Sequence, residues 1–176
     1  MKFTILICTL VVIVGTSFSC KEDISGTHID INLQLWVRNA NGKNLLDSIT
    51  PNHFVQSQIR IYYIEDGQKV EVYDPKMGYP RNFFWYKHDY NGEELMSVFA
   101  DPGRSSKDET TIMLIQWREN EVDTVQTLIT KKANNSKSCD KITYNGTVLF
   151  DATNEAADIE WDGIYIRRLL EIKKYE

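Results

Sequence analysis

Residues 29–38 alternate without a break between aliphatic and mostly polar side chains. Successive side chains of a β-strand point to opposite faces of the sheet, so this pattern places every aliphatic residue on one face. The segment is therefore predicted to be a half-buried strand with one face in the core. The aliphatic residues are Ile29, Ile31, Leu33, Leu35 and Val37.

Turn dipeptides divide the rest of the chain into short strands. Asp66-Gly67, Asn91-Gly92 and Asn145-Gly146 each stand between strand-like runs, and such pairs favour the positive φ angles of tight hairpins. Residues 110–118 and 122–130 form a further strand pair. The sequence predicts an all-β fold, an antiparallel β-sandwich with immunoglobulin-like or Greek-key connections, in a single domain over residues 28–176.

The C-terminal stretch, residues 163–174, fits either a helix or a strand. Four of its aliphatic residues follow period two, and its β-branched content favours a strand that closes the fold. These residues are Ile164, Ile166, Leu170 and Ile172.

The N-terminus has the three parts of a secretory signal. One positive charge at Lys2 precedes an apolar run over residues 3–14, and small or polar residues follow up to Cys20. At about 1.5 Å per residue the apolar run is too short for a bilayer core of about 30 Å. We expect a signal peptide over residues 1–19 and a tether over residues 20–27. The alternatives are a short transmembrane anchor and a buried core helix.

Ser19-Cys20 resembles a lipobox, the site at which signal peptidase II cleaves before a lipid-modified cysteine. Ser17 stands where the usual box has a branched aliphatic residue, as in the relaxed boxes of Bacteroidetes lipoproteins. The charged residues 21–23 resemble the export signal of surface lipoproteins in that phylum. The resemblance implies lipidation of Cys20 and an outer-membrane location, facing either the cell surface or the periplasm, with the lipid as the only membrane contact.

Three further phrases carry a wider resemblance. They are Leu35-Trp36-Val37-Arg38-Asn39-Ala40, Asn44-Leu45-Leu46-Asp47 and Tyr144-Asn145-Gly146. Together with the lipoprotein-like start they resemble uncharacterised lipoproteins of gut Bacteroidetes. The resemblance implies an envelope location and a β-sandwich, and it brings no functional residues. Bacteroidetes O-glycosylate Asp-Ser/Thr-aliphatic triplets, so Ser48 and Thr124 are candidate acceptors.

Composition excludes some partners and gives no sign of catalysis. The chain carries a net charge of −5 and a sequence pI near 5.3, so it lacks the basic footprint of a nucleic-acid-binding protein. No cofactor motif or phosphate-binding loop is present, and no two histidines have metal-ligand spacing. After cleavage and lipidation, Cys139 is the remaining thiol, and we expect it to be buried as a small hydrophobic residue.

The most suggestive feature is a group of aromatic residues within residues 79–90. On a strand, Phe83 and Trp85 share one face while Phe84 and Tyr86 share the other, so one set is predicted to lie in the core and the other to face outward. The alternative is that both faces are buried. Exposed rings can stack on sugars or anchor a peptide. The predicted ligand-contacting residues are Trp36, Tyr79, Trp85, Tyr86 and Tyr90.

These features favour a non-enzymatic binding lipoprotein of the cell surface, with a glycan or a peptide as ligand. A structural or assembly subunit of an outer-membrane or fimbria-like complex is the alternative, since an exposed sheet edge can accept a strand from a neighbour. An enzyme would require a deep pocket with converging polar groups.

Overall fold

The structure is a computed structural model. It describes residues 27, 29–89, 91–101, 109–131, 135–153, 158–161, 164–167 and 169–174. Apart from a three-residue 3-10 turn at Gln56–Gln58, the regular structure of these residues is all strand. The strands are β1 (Ile29–Asp30), β2 (Asn32–Asn39), β3 (Arg60–Glu65), β4 (Gln68–Glu71), β5 (Phe83–Lys87), β6 (Glu94–Phe99), β7 (Glu109–Arg118), β8 (Glu121–Lys131), β9 (Lys137–Tyr144), β10 (Thr147–Asp151), β11 (Asp158–Trp161), β12 (Ile164–Arg167) and β13 (Leu169–Lys174).

Two sheets pack against each other, which confirms the predicted all-β sandwich. The seven-stranded sheet has the order β1-β9-β8-β7-β3-β4, and β10 pairs with β9 beside β1. The four-stranded sheet has the order β13-β2-β6-β5. Strands β11 and β12 form a separate two-stranded hairpin.

The sheets are mixed, so the prediction of purely antiparallel sheets is wrong at two pairings. β1 runs parallel to β9, and the C-terminal strand β13 runs parallel to β2, with Leu170 opposite Leu35. Both parallel pairs join segments that are far apart in sequence. Parallel neighbours require a long crossover connection, whereas the local hairpins of this chain can only form antiparallel pairs.

The segment predicted as the first strand is divided between the two sheets, and one of its predicted core residues, Ile29, is exposed as a result. β1 belongs to the seven-stranded sheet and β2 to the four-stranded sheet, and the change occurs at Ile31. The aliphatic residues from Ile31 to Val37 are buried as predicted. Ile29 is 62% exposed, because the chain crosses between sheets and loses the alternation that β2 maintains.

The inner faces of the two sheets form one hydrophobic cluster. In β7, Met113, Ile115 and Trp117 are fully buried and alternate with partly exposed residues. Cys139 is buried in the same cluster, as expected from the sequence. At about 25 cal/mol per Å² of apolar surface removed from water, such burial is the main stabilising contribution to folding.

The predicted hairpins form where the turn dipeptides stand. Asp66-Gly67 and Asn145-Gly146 both have positive φ at each residue, at 49° and 76° and at 46° and 83°. The C-terminal stretch is strand, in β12 and β13, as the β-branched content favoured. β3, the first strand of the Asp66-Gly67 hairpin, begins at Arg60, directly after the 3-10 turn and Ile59.

A buried polar cluster joins the two sheets at one end of the sandwich. Asp123 of β8 is 7% exposed, and its carboxylate accepts hydrogen bonds from Trp117 Nε1 at 2.6 Å and Asn145 Nδ2 at 2.7 Å. It also accepts hydrogen bonds from the Tyr144 hydroxyl and from Lys174 Nζ, which reaches it from the four-stranded sheet. Burial alone raises the pKa of the Asp123 carboxyl, but these donors outweigh burial and hold its pKa below its usual value.

Candidate functional site

The two aromatic sets of β5 face opposite sides of the four-stranded sheet. Phe83 and Trp85 lie opposite Val98 and Met96, whose side chains are fully buried in the core. Phe84 and Tyr86 therefore lie on the outer face, where both are half-buried. The alternation predicted these two sets, and the pairing with β6 decides which set faces inward.

Trp85 lies on the core-facing side of β5 and is only partly exposed, so it does not belong to the outer face. Its ring packs against the hydrophobic core. Its indole N–H is buried and has no hydrogen-bond partner among the described residues. A side chain in this position contributes mainly to packing between the sheets, and the ligand contact predicted for Trp85 stays a prediction.

The outer face carries a continuous aromatic surface, which we call the outer aromatic surface and define as Gln34, Tyr79, Phe84 and Tyr86. The Tyr79 ring stacks on Phe84 with centroids 4.3 Å apart and planes inclined by 22°. The Phe84 and Tyr86 centroids are 5.7 Å apart. Tyr79 lies in the turn before β5 and is 45% exposed. The three rings thus form a row that is open to solvent at Tyr79.

Polar groups lie at the Tyr86 end of this row. The Tyr86 hydroxyl donates a hydrogen bond of 2.9 Å to Gln34 Oε1 on β2. Burial raises the pKa of the Tyr86 phenol further above neutral pH, where the hydroxyl is in any case protonated and able to donate. The surface therefore combines flat apolar rings with a fixed hydroxyl and an amide.

Trp36 lies on the same outer face, but one face of its ring is already covered by Arg38. The Arg38 guanidinium carbon is 3.7 Å from the centroid of the ring, and the indole N–H donates a 2.6 Å hydrogen bond to Glu93 Oε2. Arg38 also forms an ion pair with Glu93 at 3.1 Å. Because Arg38 occupies one face of the ring and Glu93 accepts the indole N–H, Trp36 is held in place and only its other face could stack on a ligand. Tyr90, also predicted as a contact, lies outside the described residues.

The predicted ligand contacts left out two members of the outer aromatic surface, Gln34 and Phe84. Alternation had placed Phe84 on the face of Tyr86, so it could have been included. Gln34 could not, because its contact with Tyr86 joins residues 52 positions apart.

The described part of the chain shows no cluster of three or more histidine, cysteine or carboxylate side chains suited to a metal ion. Cys139 is 1% exposed, and its sulfur lies 3.7 Å from the carbonyl oxygen of Lys141. A thiol held in this way is out of reach of solvent-borne substrates. The buried Asp123 carboxylate is likewise enclosed by its donors.

The two candidate glycosylation triplets lie in different environments. Ser48 is exposed in a turn, where the Asp47 side chain accepts a 3.1 Å hydrogen bond from the Ile49 N–H. Thr124 is exposed within β8, but its neighbours Asp123 and Val125 are buried. Ser48 is thus the more accessible acceptor. The signal-like segment and Cys20 lie outside the described residues.

Among the residues that the structure describes, no helix is long and apolar enough to cross a membrane. Comparison with protein-family models, with curated proteins and with solved structures finds no significant match to this chain.

Proposed function

We propose that this chain is a lipid-anchored lipoprotein of a bacterial cell envelope, and that its β domain binds a glycan without catalysing a reaction. One observation carries the binding role. The exposed Tyr79 ring stacks on Phe84, next to Tyr86, on the outer face of the four-stranded sheet.

The chemistry of this surface suits a sugar. Aromatic rings offer a large flat contact area for the apolar C–H faces of a pyranose, at a low entropic cost because few torsions must be fixed. The Tyr86 hydroxyl and the Gln34 amide can exchange hydrogen bonds with sugar hydroxyls at the edge of the row. Since the rings already contact one another, their side chains lose little conformational entropy when a ligand binds.

Tyr79→Ala is expected to weaken glycan binding about tenfold, because it removes a stacking contact of roughly 1 kcal/mol together with its buried area. The full chain, solubilised in detergent, would be screened against a glycan panel by thermal shift. A ligand at about a hundred times its dissociation constant stabilises the fold by about 2.7 kcal/mol, a shift of several degrees. Tyr73→Ala is the matched control, since Tyr73 is 60% exposed and lies outside the surface.

A panel without any shift, or a shift that Tyr79→Ala leaves unchanged, contradicts glycan binding at this surface. A shift produced by peptides and by no glycan would replace the glycan with a peptide ligand.

A structural or assembly role has one observation in its favour. In the described part of the chain β5 pairs on one side only, with β6, and so presents a sheet edge. Such an edge can accept a strand from a neighbouring protein. A photocrosslinker at Lys87, whose side chain is 73% exposed at this edge, would capture one defined envelope protein in intact cells if that role holds.

Cys20→Ala is expected to abolish lipid labelling and to release the protein from the membrane fraction. Wild-type protein would incorporate an alkyne fatty acid and remain with the membrane, because the acyl chains supply its attachment. Cys139→Ala is the control, because the buried Cys139 thiol is not the modified group. Labelling that survives Cys20→Ala would contradict lipidation at this cysteine.

A further inference from the structure

A polar groove lies on the outer face of the seven-stranded sheet, on the sheet that does not carry the outer aromatic surface. Its volume is about 480 Å³, within the range of roughly 300–1,000 Å³ for small-molecule sites. It lies where the 3-10 turn leads into β3 and where β7 enters its turn with β8. Its lining is Gln58, Arg60, Tyr62, Gln116, Arg118 and Glu119.

Arg60 is held in place and keeps one donor nitrogen unused. Its Nη1 donates hydrogen bonds to the carbonyl oxygens of Ser57 at 2.6 Å and Ile59 at 3.0 Å. Its Nε lies 3.5 Å from Glu71 Oε1. Nη2 has no hydrogen-bond partner among the described residues. The guanidinium is therefore ordered before any ligand arrives.

Arg118 is anchored in the same manner. Its Nη2 donates to the carbonyl oxygen of Asn52, and its guanidinium carbon lies 4.7 Å from the centroid of the Phe54 ring. Its Nε is 4.0 Å from Glu121 Oε2. Nη1 has no partner within the described residues. The groove thus has two pre-ordered guanidinium groups, each with a spare terminal nitrogen, and such groups bind carboxylates strongly and directionally.

The remaining lining suits hydroxyl groups. The Tyr62 hydroxyl donates to Gln116 Oε1 at 3.1 Å, which leaves the amide N–H groups of Gln116 as donors. Gln58 adds a second amide, and the Glu119 carboxylate is an acceptor at the exposed rim. The Lys69 ammonium, 3.8 Å from the Tyr62 centroid, covers that ring, so recognition here depends on hydrogen bonds more than on stacking.

We propose that this groove binds a carboxylate-bearing saccharide, with the uronate carboxylate between Arg60 and Arg118 and the ring hydroxyls on the amides and Glu119. Two arginines against one glutamate leave the lining positive in a chain whose net charge is −5. An extended peptide fits less well, since β7 pairs on both sides and offers no free backbone groups for strand addition. The assignment stands independently of the outer aromatic surface.

Calorimetric titration of the full chain in detergent tests the proposal, with trimers of galacturonate, glucuronate and mannuronate as probes. At least one uronate trimer is expected to bind at least tenfold more tightly than the matched neutral hexose trimer, and binding should weaken with added salt. A triglutamate peptide carries the carboxylates without the hydroxyls and should give no measurable binding.

Arg60→Gln and Arg118→Gln should each weaken uronate binding about tenfold, the size of a lost charge-assisted hydrogen bond. Lys76→Gln removes the same charge from an exposed turn outside the groove and should leave binding unchanged. Because Arg118 also anchors the chain at Asn52, Arg118→Gln can change the fold as well as the groove. Glu119→Gln is therefore added as a variant at an exposed turn. Glutamine keeps an acceptor oxygen for the ring hydroxyls but removes the charge that repels the uronate carboxylate, so uronate binding should strengthen about threefold, with no such gain for the neutral trimer.

The proposal is overturned if none of the three uronates binds at millimolar concentration, or if the neutral trimer binds as well as its uronate. Equal binding of triglutamate would make the groove an acidic-peptide site. Uronate binding that is lost in Tyr79→Ala and kept in Arg60→Gln would place the ligand on the outer aromatic surface. If the groove variants do not change uronate binding as expected, the test of the proposed function with Tyr79→Ala is unaffected.

Discussion

Asp123→Ala is expected to lower the free energy of unfolding by about 3–5 kcal/mol, as is usual when one member of a buried ion pair is removed. The carboxylate accepts hydrogen bonds from Trp117, Tyr144, Asn145 and Lys174. Without it, the Lys174 ammonium, whose side chain is 13% exposed, keeps the Glu121 carboxylate at 2.9 Å and the nearby Trp117 and Phe54 rings as its remaining partners among the described residues. The indole and phenol donors lose their buried acceptor as well. Urea denaturation of the wild type and the variant measures the difference.

Two lysines at neighbouring positions provide the matched control for this cluster. Lys174 points into the space between the sheets, whereas Lys173 lies on the outer face with a 60% exposed side chain. Lys174→Ala should therefore destabilise the fold by about 3 kcal/mol, and Lys173→Ala by less than about 0.5 kcal/mol. Similar decreases in the free energy of unfolding for both lysine variants, or a decrease below about 1 kcal/mol for Asp123→Ala, would show that the cluster does not stabilise the packing of the two sheets.

Local patterns in the sequence predicted the strands and turns of this fold well. The alternation from Ile31 to Val37 is set by one buried face, and it needs no knowledge of the partner strands. The positive φ angles at Asp66 and Gly67 follow from the short side chain of one and the missing side chain of the other. Such features depend on residues within a few positions of one another.

Pairing between distant segments could not be predicted in the same way. The parallel contact of β13 with β2 joins Leu170 to Leu35, and nothing in either segment specifies the direction of the other. The exposure of Ile29 depends on the change of sheet at Ile31. The ion pair of Lys174 with Asp123 spans 51 positions, so both residues look like ordinary surface charges in the sequence.

For the candidate sites as well, local patterns could be predicted from the sequence and contacts between distant segments could not. Alternation in β5 separated Phe84 and Tyr86 from Phe83 and Trp85, but each set is equally aromatic, so the sequence could not say which faces the core. The groove follows from alternation in β3 and β7, where Arg60 and Gln116 lie opposite each other on the outer face. The groove can be recognised only from that pairing, because three other strands lie between β3 and β7 in the sequence.

The stability of the domain is expected to fall steeply above about pH 10, by about 2.7 kcal/mol per pH unit from two buried tyrosines. Burial raises the pKa of the Tyr63 phenol, and burial together with the adjacent Asp123 charge raises the pKa of Tyr144. Because the pKa of each phenol is higher in the folded state, its contribution to the free energy of unfolding is complete below 10.0, the pKa in the unfolded chain. That contribution is lost as the pH rises above 10.0. In that range the unfolded chain releases both protons while the folded domain keeps them, at about 1.36 kcal/mol per pH unit for each phenol.

Urea denaturation at pH 9, 10 and 11 measures this slope, and phenylalanine variants assign it. Tyr63→Phe removes one ionisable phenol, so the slope above pH 10 should fall by about 1.4 kcal/mol per pH unit. The same variant also removes a hydroxyl that donates to the Phe99 carbonyl and accepts from Asn82, so its stability at pH 7 should drop by about 1–3 kcal/mol. The two effects separate because the first changes the slope with pH and the second shifts the whole curve. A slope that Tyr63→Phe leaves unchanged would mean that other groups cause the alkaline loss, and that the Tyr63 phenol ionises as readily in the folded domain as in the unfolded chain.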